Sequence, residues 1–189
     1  MVKKTASSAQ GLNSKVKILP GVSILAILSR LNYKPWFAIA EFIDNSVQSF
    51  LDNKTSIGKI SGSKPKLKIK ISYDSRDGGT LKILDNAGGI SEKEFPRAFR
   101  PAQVPADTSG LHEYGMGMKS AACWFSPKWA VRTSEIGKPV TKTVKFDIKK
   151  IIKDDIQELD VDTEPSKSTL HFTEIVLKDW TAVEFLDSV

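Results

Sequence analysis

The chain contains little cysteine, and this shortage limits how the fold can be stabilised. Of its 189 residues only Cys123 is a cysteine, so neither an internal disulfide nor a zinc site built from cysteines can form. We therefore expect a protein of a reducing compartment, the cytoplasm, or the nucleus if the source is eukaryotic.

Long apolar runs are also missing. The longest run, from Gly21 to Leu28, contains Ser23 and is followed by Arg30, whereas a membrane-spanning helix needs about 20 apolar residues. The basic stretch 1–17 lacks the apolar centre of a secretory signal. We expect a flexible basic tail over 1–17 and one domain over 18–189, the two together forming part of a longer protein.

The charge of the chain leaves two interpretations open. A hydrophobic fraction of 40% and a charged fraction of 26% are typical of a globular core with a polar surface. The net charge of +6 suits an anionic partner such as DNA. However, Lys66, Lys68 and Lys70 alternate with apolar residues, which is also the pattern of a solvated strand face.

Apolar periodicity predicts helices alternating with antiparallel hairpins. Helices are predicted over residues 22–31, 35–51, 92–99, 116–125 and 181–186, and strands over 67–73, 80–84, 128–134, 140–148 and 168–176. Residues 52–65 are predicted to form a loop, and 153–164 an acidic, solvated connection. This order predicts an α+β fold, a two-layer α/β sandwich with a mixed, mainly antiparallel sheet, and excludes a doubly wound parallel sheet.

Two polar residues stand out on the second predicted helix. Glu41 and Asn45 are four residues apart, so both project from one helical face, within the otherwise apolar stretch 38–46. Burying them without a purpose would be costly. A carboxylate can deprotonate a water molecule, and an amide oxygen can bind Mg²⁺.

Two glycine-bearing segments carry further candidates. Asp85 ends a predicted strand and begins the turn that contains Gly89, where a carboxylate could accept a hydrogen bond from an adenine amine. A second segment precedes a helix and could hold phosphate on its backbone N–H groups; it consists of Gly115, Met116, Gly117, Met118, Lys119 and Ser120. It matches neither a Rossmann nor a P-loop motif, and taken singly each segment also fits ordinary turn or packing chemistry.

Taken together and in order, these residues resemble the GHKL ATPases (gyrase, chaperone, histidine kinase, MutL), which have the Bergerat fold. Glu41 and Asn45 match the motif Glu-x-x-x-Asn, Asp85 and Gly89 match most of Asp-x-Gly-x-Gly, and 115–120 matches Gly-x-Gly-x-x-[Ser/Thr]. Thr169 matches a threonine on a late strand. The resemblance covers about residues 20–177, and within the superfamily it is nearest to microrchidia-like and related prokaryotic ATPases.

The resemblance implies a role for each matched residue, with ATP and Mg²⁺ as cofactors. Glu41 would be the general base and Asn45 the Mg²⁺ ligand, while Asp85 would read the adenine with help from Thr169 through water. The backbone amides of the glycine segment, including those of Met116, Met118 and Ser120, would cradle the phosphates. Lys119 would add charge near the phosphates or be solvated, and Gly89 would also belong to the nucleotide site. Residues 91–114 would form a lid.

Two departures from the family pattern predict weak activity. Ala87 replaces a glycine and would resist a backbone with positive φ, which would lower nucleotide affinity. The chain also ends at Val189, before a following domain could supply a lysine to the γ-phosphate. We therefore expect hydrolysis to be slow in this fragment.

Three functions remain open at this stage. One is an ATPase in which nucleotide closes a lid and drives homodimerisation of a larger machine. The second is the catalytic domain of a histidine kinase, and the third is a nucleotide-gated module that binds DNA or protein without useful turnover.

Overall fold

A computed structural model describes residues 21–100 and 117–179 of the chain. The helices are α1 (Ile24–Leu28), α2 (Pro35–Ser61), α3 (Phe95–Phe99), α4 (Gly117–Phe125) and α5 (Ile148–Lys153), and the strands are β1 (Ile69–Asp74), β2 (Thr80–Asp85), β3 (Lys128–Ser134), β4 (Val140–Asp147), β5 (Val161–Pro165) and β6 (Phe172–Lys178). The expected basic tail, most of the expected lid and the expected helix 181–186 lie outside these residues. None of the helices in these two ranges combines the length and the apolar character that a membrane span requires.

One six-stranded sheet forms a layer in the order β1-β2-β6-β3-β4-β5. All pairings among the described strands are antiparallel. Alternate residues of the central strands, such as Ile83 and Val131, are buried against Phe42 of α2 and Phe125 of α4. This arrangement confirms the α+β sandwich and its mainly antiparallel sheet.

Helix α2 is longer than the sequence predicts, so the prediction of a loop over 52–65 is wrong for its first ten residues. Ile57 is buried in a small cluster with Phe50 and Ala87, and this burial outweighs the polar residues around it. The helix ends where Gly62 adopts a left-handed conformation and its N–H bonds to the carbonyl of Gly58, a common glycine C-cap.

The C-terminal half contains two elements that the sequence did not predict. Asp147 ends β4 and caps α5, since its side chain accepts a hydrogen bond from the backbone N–H of Lys150. The end of the predicted acidic connection is β5, which pairs with β4 at one edge of the sheet. Strand β6 begins at Phe172 rather than at residue 168 because a backbone bond from Leu170 N–H to the Lys167 carbonyl closes a turn.

The outer face of the sheet carries charges of both signs. Lys82 pairs with Glu174, Lys128 with Asp179, Arg132 with Glu164 and Lys145 with Asp162. Apart from Glu174, which is half-buried, these groups are exposed, so the pairs add little to stability, but they reduce the net positive potential of this face. Lys66, Lys68 and Lys70 are themselves exposed, so the lysine-rich stretch fits a solvated face.

Candidate functional site

A cavity of about 610 Å³ opens between the helical layer and the ends of β2 and β6. Its volume lies within the usual range for a small-molecule site. The site residues expected from the sequence that line it are Glu41, Asn45, Asp85, Gly89, Gly117, Met118 and Lys119. Gly115 and Met116 lie outside the described residues, so their expected contact with phosphate remains a prediction.

Asp85 lies at the inner end of the cavity and is only 6% exposed. Its Oδ1 accepts hydrogen bonds from the backbone N–H groups of Ala87 and Thr173, at 2.9 and 3.0 Å, and its Oδ2 accepts one from the Ser46 hydroxyl at 2.7 Å. Burial raises the pKa of this carboxyl, and these bonds and the nearby His171 oppose the rise. Oδ2 keeps acceptor capacity for a ligand donor.

The turn after Asp85 accommodates Ala87, contrary to the expectation of a strained backbone. The positive φ falls on Gly89, at 75°, and not on Ala87, whose fully buried methyl group packs against Phe50 and Ile57. A Cβ at Gly89 would lie 2.1 Å from the carbonyl oxygen of Ser134. The essential glycine of this turn is therefore Gly89, and the reason for expecting weak affinity at Ala87 disappears.

Glu41 and Asn45 project from α2 into the same cavity, as their spacing predicts. A Cβ built on Gly117 would lie 1.9 Å from Oε2 of Glu41, so the carboxylate packs directly against the start of α4. Burial, and then the charge of Asp44, raise the pKa of Glu41. The Asn45 amide donates to the Glu41 carbonyl at 2.5 Å, and its oxygen has no hydrogen-bond partner among the described residues.

Lys119 is buried, which the sequence did not indicate. The side chain lines the cavity, the residue is only 3% exposed, and Nζ donates to the carbonyl oxygens of Arg97 and Ala98 at 3.1 and 3.2 Å. Burial, followed by the charge of Arg97, lowers the pKa of Lys119 to about 8.

Ser120 is buried near the Tyr33 side chain and does not itself line the cavity. Tyr33 lines the cavity, packs edge-on against Trp124, and has a pKa raised by burial and by the charge of Glu41. The sequence did not indicate Tyr33 as a site residue, because an isolated tyrosine carries no spacing signal.

Thr169 is not on a strand, and that prediction is wrong. It lies in an exposed turn and does not line the cavity. Thr173 takes the expected position, because β6 pairs it with Asp85, and its hydroxyl lies 3.4 Å from that of Thr133. Thr173 could not be identified from the sequence, because only the strand register places it beside Asp85.

Two oxygen atoms that line the cavity fit a nucleotide with bound Mg²⁺. A buried carboxylate oxygen with spare acceptor capacity suits an exocyclic amine, and an amide oxygen without a partner suits Mg²⁺, which prefers oxygen ligands. Asn45, and not a cluster of acids, would hold the metal: the described residues contain no group of three or more His, Cys, Asp and Glu arranged for a metal ion.

The sandwich and this cavity define a nucleotide-binding domain whose site lies between helices and an antiparallel sheet. The histidine kinase-, DNA gyrase B- and HSP90-like ATPase family model matches residues 33–177. The chain therefore belongs to this family of ATPases, which confirms the resemblance at the level of the superfamily. It matches no curated protein sequence.

Proposed function

We propose that the domain binds ATP with Mg²⁺ and hydrolyses it slowly, so that nucleotide state controls a larger protein. The observation that carries the proposal is the buried Asp85 carboxylate, fixed by three hydrogen bonds at the end of a cavity of suitable volume. A charged acceptor held in this way selects a ligand that donates a hydrogen bond, as the adenine amine does.

The phosphates are proposed to lie toward the start of α4. Gly117 and Met118 line the cavity there, close to Glu41 and Asn45, and a helix N-terminus favours negative charge. Bound Mg²⁺ would neutralise phosphate charge beside Asn45. Glu41 would orient and deprotonate the attacking water, and its raised pKa makes it a stronger base.

Slow turnover follows from the scarcity of positive charge in the cavity. Among the described residues only Arg97 and Lys119 line it as cations, and Arg97 is paired with Glu94. Phosphoryl transfer depends on electrostatic stabilisation of the transferred group. One unpaired cation would therefore support binding better than rapid hydrolysis.

Coupling to a larger machine forms the rest of the proposal. Residues 91–114 would act as the lid, of which 91–100 are described, and lid closure would favour a homodimer. The ATPase is preferred over a histidine kinase because Glu41 lies beside the proposed phosphate position and fits a general base. DNA binding remains a prediction. The outer face of the sheet does not favour it, because positive and negative charges are balanced there.

Titration with ADP, ATP and a non-hydrolysable ATP analogue, with and without Mg²⁺, tests the proposal. Ligand at a hundredfold excess over Kd should raise the free energy of unfolding by about 2.7 kcal/mol. Glu41→Gln should keep binding and lose turnover, whereas Asp52→Asn, which removes an exposed carboxylate on the same helix, should keep both. The absence of any stabilisation by adenine nucleotides would refute the proposal.

A further inference from the structure

Helix α3 separates two cavities. Glu94, Arg97 and Ala98 face the nucleotide cavity, while Phe95 and Phe99 face a second, largely apolar cavity of about 520 Å³ between α1, α3, β4 and α5. Any movement of this five-residue helix would therefore change the walls of both cavities. What holds α3 in place consequently matters for the nucleotide site.

The contact from Lys119 joins α3 to α4. Its ammonium group binds the carbonyl oxygens of Arg97 and Ala98, which belong to the last turn of α3, where carbonyl groups lack helical partners and attract cations. Helix α3 has no side-chain cap at its N-terminus and no fully buried residue. The hydrogen bonds from Lys119 are thus among the few polar contacts that hold this short helix in position.

Lys119 has no anionic partner in the described part of the chain. None of the ion pairs found there includes it, and the guanidinium of Arg97 opposes its charge. A buried cation that is held only by carbonyl oxygens can bind an anion more strongly than it binds those oxygens. A polyphosphate in the cavity would supply that anion.

We propose that Lys119 changes partner with nucleotide occupancy, holding α3 through its carbonyl groups in the free domain and releasing α3 when its ammonium group binds phosphate. The proposal rests on the proposed function, since it requires the polyphosphate to lie beside α4. It makes Lys119 the residue that links the nucleotide cavity to α3, and through α3 to the apolar cavity.

The exchange of partners should depend on pH. The groups that act electrostatically on Lys119 are the guanidinium of Arg97 and the thiol of Cys123. The other titratable groups that line the same cavity are Tyr33, Glu41, Asp52, Asp85 and Glu94. Free Lys119 loses its proton as pH rises through about 8, whereas bound phosphate would keep it protonated. Polyphosphate affinity should therefore fall above pH 8, by up to tenfold per pH unit.

Hydrogen exchange of the α3 amides tests the proposal directly. The N–H groups of Ala98 and Arg100 bond to the carbonyl groups of Glu94 and Pro96, so their exchange reports whether α3 is held. The probes are ADP and inorganic tripolyphosphate, each with Mg²⁺. The variants are Lys119→Met and Lys119→Arg, and Lys93→Met is a matched control because Lys93 is exposed just before α3.

In the wild-type domain both probes should speed exchange at these amides severalfold. Lys119→Met should exchange fast without any probe, should not respond to one, and should bind ADP about tenfold more weakly, the value of one charge-assisted hydrogen bond. Lys119→Arg should keep the response but lose the fall in affinity above pH 8. Lys93→Met should behave like the wild type.

The outcomes separate the two proposals. Failure of the wild type to bind either probe would overturn both. If ADP binds, but the α3 amides of Lys119→Met exchange at the wild-type rates both with and without ADP, only the role of Lys119 is overturned. If Lys119 were purely structural, both variants would change thermal stability, but Lys119→Arg would keep the fall in polyphosphate affinity above pH 8. That result would also contradict the proposal.

Discussion

Replacing Asp85 by asparagine should abolish adenine recognition while leaving the fold intact. The asparagine oxygen can still accept the two bonds from the N–H groups of Ala87 and Thr173. The Ser46 hydroxyl, which now donates to Oδ2, can rotate and accept from the new amide instead. Because the buried negative charge disappears, the variant should unfold at the same urea concentration or a higher one.

The loss of affinity can be estimated from the contacts at Oδ2. A hydrogen bond to a charged group contributes about 1.5–3 kcal/mol, and a buried donor that faces another donor costs a further ~1–3 kcal/mol. The sum, about 2.5–6 kcal/mol, corresponds to a rise in the Kd for ADP of roughly two to four orders of magnitude. The amide can donate to O6 of guanine, so the preference for ADP over GDP should narrow.

Calorimetric titration with ADP and GDP, together with urea unfolding, measures both effects. The matched control is Asp52→Asn, an exposed carboxylate on α2 that lines the same cavity, and its Kd should change less than threefold. A folded Asp85→Asn variant that binds ADP within threefold of the wild type would show that the adenine amine does not contact Asp85. Loss of folding in this variant would refute the hydrogen-bond exchange with Ser46.

Three further predictions test other parts of the site. In Gly117→Ala the new methyl group would displace the Glu41 carboxylate, so steady-state turnover should fall at least tenfold while the free energy of unfolding changes by less than about 1 kcal/mol. Gly89→Ala places a side chain at a φ of 75° and against backbone, and urea unfolding should show a loss of about 2–4 kcal/mol; an unchanged midpoint would contradict the observed turn. Thr173→Val should weaken ADP binding, whereas Thr169→Val should not; a Kd that rises only in Thr169→Val would restore the sequence-based assignment, and equal effects would contradict a specific role of Thr173.

The sequence predicts the elements of the site better than the contacts among them. Glu41, Asn45 and Asp85 could be found because polar residues in apolar surroundings carry a cost that only a partner offsets. Ser46 could not be found, because its role arises from a bond to Asp85, 39 residues away. The burial of Lys119 is equally invisible, since it depends on how α3 packs beside α4.

Errors in the fold arose where tertiary packing outweighs local preference. Residues 52–61 contain asparagine, glycine and serine and favour a loop locally, yet the burial of Ile57 extends α2 through them. Strand β5 is exposed along its length, so it has no alternating apolar pattern to predict it. In both cases the deciding interaction lies far away in sequence.

The position of β6 has a consequence for how the domain is made. This strand comes last among the described elements, yet it lies between β2 and β3 in the middle of the sheet, and its Thr173 N–H completes the contacts of Asp85 across 88 residues of sequence. Such long-range pairing slows folding. During synthesis on the ribosome the sheet must therefore remain split into the β1–β2 hairpin and the three-stranded β3–β4–β5 unit until β6 has emerged, and nucleotide can assist folding only after that point.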